Sequence, residues 1–578
     1  MFESPDNLPN ACDGNGCWTN YLRVTDLDGD DQLDIVTVNM QGLFEVGPAE
    51  ALAIYRNGPP GTFDNVSSEA LGGHEGQHRQ VAIGDVDGDG DPDIYAPHAA
   101  GGSDSLFIND GSGTFAETTL DNGSQAGAAR FGDLDDDGDL DLVLTDGYPD
   151  LGGPVSPVGH VFANDGTGAF TELDGAFSGM LDGISPIDID LLDVDGDFDL
   201  DAMIDSHDGA VGLWLNDGAG VFTAAGAIAE PNGVYHYNPA ACDVDGDGDL
   251  DLWVDNAGPG YSEQLNINDG TGLFTDETAE RVSGNPGLDD NGVVCVDLDY
   301  DGDFDAIVVA LDFEGPLRYL VNAGDGTFSL LDGAIPDNGD SSLWAELGDL
   351  NGDGRLDMVT GSGEQATIDR VFLGSAAQAA DATAPAFRAV QQVADVAADT
   401  AVVVHYGVTD NTVTDEGPRL SRAFVRVAVD GGAPTEVDAT FMGGDLFRAE
   451  IPGQADGSSV QYTVCAVDRA GNEGCADALM YGVGMGSDSS GDATATGADT
   501  SGTASDTASA TNSDATASAT GASASATGAD TEGTETGDSN ATGDDGGGGG
   551  CGCDQAPRRD AWLAAIGLLL AFRRRRRP

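Results

Sequence analysis

The chain has 578 residues, with 103 Asp and Glu against 21 Lys and Arg for a formal charge of −82, and five of the arginines form one block next to the C-terminus. That balance excludes nucleic acid and anionic membrane surfaces as partners of the main body and makes cations its natural counterpart. Forty per cent hydrophobic residues suffice for a core, while 86 glycines exclude a chain of long helices and predict an all-β fold rich in turns.

The first residues, MFESPDNLPN, have neither a basic start nor an apolar run and do not form a signal peptide. Later segments read as exported, so we expect a leader encoded upstream. Phe2-Glu-Ser-Pro resembles TFAETT and AFTELD further along. The likeness predicts a first strand that completes the last unit of a repeat and removes its free edges.

An acidic loop recurs seven times, beginning at Asp26, Asp85, Asp133, Asp193, Asp243, Asp297 and Asp349, in steps of 59, 48, 60, 50, 54 and 52 residues. A period near fifty marks a propeller or solenoid. Position 3 is Asp28, Asp87, Asp135, Asp195, Asp245, Asp299 and Asn351; position 5 is Asp30, Asp89, Asp137, Asp197, Asp247, Asp301 and Asp353; position 9 is Asp34, Asp93, Asp141, Asp201, Asp251, Asp305 and Asp357. Position 7 varies through Gln32, Asp91, Asp139, Asp199, Asp249, Asp303 and Arg355, as a ligand that binds through its backbone carbonyl permits. At ~4 Å each pair of like charges costs about 1 kcal/mol in water and about 4 at an effective dielectric of 20, so converging carboxylates call for a cation.

Carboxylates with a carbonyl and water suit calcium better than magnesium, which demands strict octahedral geometry, or zinc, which prefers His and Cys. A helix-loop-helix calcium site would need Glu at position 12, where Thr37, Ala96 and Leu144 stand in the first three copies. A solvated acidic turn would not keep this fixed pattern. Each loop precedes an apolar run such as DIVTVNM or DAIVVAL, so it joins two strands. Six units then carry a turn signature: NGPPGTF, NDGSGTF, NDGTGAF, NDGAGVF, NDGTGLF and NAGDGTF.

DxDxDGxxD loops combined with NxGxGxF turns resemble the FG-GAP/VCBS repeats of integrin α-like seven-bladed β-propellers, over about 1–383. The resemblance implies up to seven Ca2+ ions in loops on one face. HEGQH at 74–78 satisfies the HExxH zinc-protease pattern but contains Gly76 and precedes a strand, so it reads as incidental. No other catalytic constellation stands out.

Residues 384–483 alternate as short strands and predict a β-sandwich, with YTVCAVDRAGNEG resembling the closing hairpin of Ig-like or fibronectin III-like modules; it reads as a spacer or a second binding surface. Close spacing predicts disulfides Cys12–Cys17 and Cys465–Cys475, whereas Cys242 and Cys295 suit free buried thiols. Residues 484–550, built of Ser, Thr, Ala, Gly and Asp, predict a disordered stalk. The tail, 551–578, has a twelve-residue apolar core, Ala561 to Phe572, predicting a short helix, then five arginines. With its cysteines it resembles the myxobacterial C-terminal sorting tag, which implies processing or lipidation at Cys551 or Cys553.

The expectation is an exported, monomeric protein at the cell surface or outer membrane, or released outside the cell. It binds an extracellular protein or glycan, and meets a membrane only through its tail. A polysaccharide-acting enzyme and a purely structural envelope component are the rival readings.

Overall fold

In the computed structural model the described residues are 1–9, 18–40, 47–59, 61–146, 159–179, 186–207, 210–228, 236–255, 262–311, 317–337, 341–363, 368–414 and 417–484. The expected Cys12–Cys17 bridge, all of the expected stalk but residue 484, and the expected tail with Cys551 and Cys553 fall outside them.

Among the described residues, the acidic loops make seven sheets. In every copy the residue before position 1 pairs with position 9, as in Thr25 with Asp34, Gly84 with Asp93 and Val296 with Asp305. Each loop therefore closes a hairpin whose second strand is buried along its length; Asp34–Asn39, Asp201–Ser206 and Asp305–Ala310 are buried at every position. Such strands are flanked on both faces, which is why they read as continuous apolar runs and not as alternating ones. The Asn-Gly turns follow between third and fourth strands, as between Asp104–Asn109 and Phe115–Leu120.

The seventh sheet, Ser342–Gly348, Asp357–Ser362 and Arg370–Phe372, takes its fourth strand from Asp6–Asn7, with Phe2 bridged to Gly374. The first strand thus supplies the edge that the last repeat lacks.

Successive sheets are joined by one recurring bond. The Asn that opens each turn donates through Nδ2 to the position-2 carbonyl of the preceding loop: Asn109 to Leu27 at 2.8 Å, Asn164 to Val86 at 2.8 Å, Asn216 to Leu134 at 3.0 Å, Asn268 to Val194 at 2.9 Å and Asn322 to Val244 at 2.8 Å. Asn57 reaches Leu350 at 2.8 Å, joining the first sheet to the seventh. The seventh repeat has no such Asn, and Gln378 Nε2 donates to Leu298 in its place. The circuit of neighbours closes on itself.

Cys242 and Cys295 correct the expectation of free thiols: they form a disulfide 53 residues apart in sequence, with Cα atoms 6.4 Å apart. They lie on the first strands of the fifth and sixth sheets, Ala240–Cys242 and Asp290–Val296. About one repeat of separation puts them at matching heights on neighbouring strands. Cys465 and Cys475 are bonded as expected, on paired positions of Ser459–Asp468 and Glu473–Cys475.

Among the described residues, 386–482 make two larger sheets and a two-stranded one, Val413–Thr414 with Gly417–Pro418; one apolar cluster includes Val404, Tyr406, Val425, Phe447, Tyr462 and Val464. This module packs on the acidic-loop side of the circuit. Met442 and Leu446 join the core of the third and fourth sheets, and Asp133 N donates to the Met442 carbonyl at 2.7 Å.

Candidate cation-binding loops

The acidic loops curl because two residues in each, positions 4 and 6, have positive φ. Gly88 and Gly90 stand at 74° and 95°, Gly246 and Gly248 at 76° and 98°. Non-glycine residues hold the same conformation at Asp31 (67°), Asp136 (59°), Phe198 (73°) and Tyr300 (61°), at a cost of order 1–3 kcal/mol each. All four touch the second module or its lead-in. Arg469 donates to the Asp31 carbonyl at 3.0 Å, His405 Nε2 lies 2.9 Å from Asp136 Oδ1, the Phe198 ring stacks on His405, and Thr383 donates to the Tyr300 carbonyl at 3.3 Å.

This curl aims backbone N–H groups at position 1. Asp85 accepts from Gly88, Asp89 and Gly90 at 2.9, 3.1 and 2.9 Å, and Asp26 and Asp243 repeat the pattern. Position 5 accepts from the N–H of position 7, as in Asp89 from Asp91 at 3.1 Å. Position 9 is buried and pins both strands. Asp93 Oδ2 accepts from Val86 N at 3.1 Å and Oδ1 from Asn109 N at 2.7 Å, with the same two bonds at Asp34, Asp141, Asp201, Asp251 and Asp357.

Position 3 differs from all of these. Oδ1 of Asp28, Asp87, Asp135, Asp195 and Asp245 is buried without a hydrogen-bond partner. Oxygens of positions 1, 3 and 9 lie within 4.8 Å of one another in the first, second and fifth loops, and those of positions 1, 3 and 5 in the third and fourth. Five equivalent orphaned carboxylate oxygens, each facing other carboxylates, fit a bound cation. Burial first, and neighbouring carboxylates second, push Asp28, Asp87, Asp135 and Asp195 above the ordinary range. Burial likewise pushes Asp93 up to about 6, Asp34 to about 7 and Asp201 to about 8.

Position-7 side chains divide: Gln32 donates to Asp30 Oδ2 at 2.8 Å and Arg355 lies 3.1 Å from Asp353, while the aspartates point to the neighbouring turns. Asp139, Asp199 and Asp303 lean on the turn glycines, where a Cβ added at Gly166, Gly218 or Gly324 would come within 2.6 Å of their Oδ2. Arg355 donates to the Gln378 carbonyl at 2.9 Å. In the same loop the Asn351 amide lies 3.4 Å from Asp357 Oδ1 and acts as a donor.

The module brings arginines to these loops. Arg388, 4 % exposed, lies 3.5 Å from Asp193 while its other contacts go to Asp445; Arg448 lies 3.6 Å from Asp133 and donates to the Asp136 carbonyl at 2.9 Å. Sequence reading missed this interface, and its signal was the non-glycine residues at positions 4 and 6. It also missed the Asn side chains as links between sheets. The HEGQH residues lie on no helix: Glu75–Gly76 is a short strand paired with Glu50 and Ala51, so a zinc protease's helical array is not formed there.

A family model described as FG-GAP-like repeat matches residues 26–96, 193–254 and 299–360. The chain carries FG-GAP-like repeats. Each matched FG-GAP-like segment spans two acidic loops, the first of them only from position 3 in 299–360, and the buried strand after the first loop. No curated protein matches the chain. One matching solved structure is a fructofuranosidase from Schwanniomyces occidentalis complexed with fructose, 8% identical, covering 81% of this chain and 91% of that one at a TM-score of 0.29, too loose a likeness to carry an argument.

Proposed function

We propose that the seven sheets are the blades of a β-propeller braced by calcium, and that the protein is an exported surface protein whose propeller binds an extracellular protein or glycan. The observation that carries the calcium reading is the buried, partnerless Oδ1 at position 3 of five loops. Positions 1, 3 and 5 or 9 would hold the ion, with the position-7 carbonyl completing an oxygen shell of the size calcium accepts. When bound, the ion neutralises the carboxylates and fixes the curl of each loop.

FG-GAP-like repeats support the binding reading. An Ig-like module over the acidic loops takes up part of that face, so the proposed ligand surface lies at the opposite end of the sheets, where 97–103 and 121–128 are among the described loops. Glycan and protein arrays probed with the chain in calcium and in chelator test this directly. Specific, calcium-dependent capture is expected, whereas no capture together with turnover of a polysaccharide would replace binding by catalysis.

A further inference from the structure

Two histidines meet at the end of the second sheet opposite its acidic loop. The Nε2 atoms of His74 and His78 stand 2.9 Å apart, their rings stacked at 24° with centroids 5.2 Å apart. The outer nitrogens decide what those atoms carry. His78 Nδ1 lies 2.8 Å from the Pro97 carbonyl, which can only accept, so this nitrogen bears hydrogen. His74 Nδ1 lies 3.4 Å from the Glu117 carboxylate, which itself accepts from the Ser105 hydroxyl at 2.9 Å.

With hydrogen on His74 Nε2 the pair is a plain His–His hydrogen bond; with hydrogen on Nδ1, which the Glu117 carboxylate favours, both Nε2 atoms present lone pairs that a shared cation would satisfy. Metal-ligating histidines hold their other ring nitrogen against a carbonyl or carboxylate in this way.

The spacing selects the class of ion. Imidazole nitrogen binds at about 2.0–2.1 Å, so two ligands at a right angle stand about 2.9 Å apart and two tetrahedral ligands about 3.3 Å. The 2.9 Å separation is that of a hydrogen bond and also of two ligands at a right angle, so the ion the pair would accept with least movement is tetragonal copper(II) or nickel(II). His98 stands edge-on to His78 with centroids 5.9 Å apart, its Nδ1 buried without a hydrogen-bond partner, and offers a third nitrogen. The His74 side chain is 15% exposed, which opens the pair to solvent from one side. The His78 ring lies so close over Gly76 that no side chain fits at that position.

We propose that His74 and His78 form a tetragonal transition-metal site, with two adjacent Nε2 ligands and Glu117 orienting His74. The site is independent of the acidic loops and carries no proteolytic role.

Copper(II) chloride titrated into the full chain, without a polyhistidine tag and in excess calcium, tests the site by electron paramagnetic resonance. The expected result is one tight equivalent with hyperfine splitting from at least two nitrogens. In His74→Gln and His78→Gln that spectrum is lost, in His160→Gln it is retained, and in Glu117→Gln affinity falls about 10–100-fold. The melting temperature of each variant, measured beside its spectrum, separates loss of a ligand from loss of the fold. A spectrum without nitrogen splitting, or one unchanged in both His variants, would show a shared proton only or copper on the acidic loops, and would overturn the proposal.

Discussion

Asn109 Nδ2 donates to the Leu27 carbonyl at 2.8 Å across 82 residues of sequence, and to the Pro92 carbonyl of its own loop at 3.1 Å. Its Oδ1 accepts from Gly111 and Gly113 N–H, both at 3.2 Å. One side chain therefore shapes a turn, holds an acidic loop and ties two sheets together. Asn109→Ala strands buried carbonyls and is expected to lose about 2–3 kcal/mol. Denaturant unfolding measures it, and an unshifted midpoint would mean that water replaces the amide.

Within one loop, positions 3 and 7 have opposite roles although both are aspartate. Asp87→Asn removes charge from the partnerless oxygen and is expected to weaken calcium binding to the second loop, while Asp91→Asn leaves it nearly unchanged. Calorimetric titration of both variants decides the matter. Chelator is expected to lower the melting temperature of the whole chain, with magnesium restoring it poorly because it accepts only near-octahedral shells.

Asp410 gives a pH signature at the module's edge. Burial first, then Asp468 and Asp381, push its carboxyl up to about 8. The folded state therefore favours the protonated form, and the stability it contributes is complete below pH 4 and lost as pH rises through about 8. Asp410→Asn mimics the protonated form, so it is expected to raise the melting temperature at pH 9 and to change it little at pH 5. Equal shifts at both values would contradict this sign.

Arg388 holds Asp445 through Nη2 at 2.9 Å, and Asp445 is 2% exposed. Arg388→Met leaves that carboxylate buried and unpaired, with an expected loss of about 3–5 kcal/mol. Hydrogen exchange should rise in the fourth acidic loop, which Arg388 touches. Faster exchange spread evenly over the chain would mean that docking is not what the arginine supports.

The Cys242–Cys295 bridge closes a loop of 53 residues. The chain-entropy relation assigns such a loop about 4 kcal/mol at 25 °C. Reduction, or the Cys242→Ser/Cys295→Ser pair, is expected to lower thermal stability accordingly, read by calorimetry with and without reductant.

What the sequence determined by itself is local and periodic. Seven spaced loops, the apolar run after each and the turn signature established the hairpins, because ligand alternation, glycine curl and strand burial act over ten to thirty residues. The completion of the last sheet by the first strand was legible too, since Phe2-Glu-Ser-Pro repeats a segment found elsewhere in the chain. Only the tertiary structure decided which side chains meet across sheets. Asn109 with Leu27, Cys242 with Cys295, His405 with Asp136 and His74 with His78 depend on how hairpins stand side by side and on where the second module lands. Those placements follow from packing of whole sheets, which no spacing along the chain encodes.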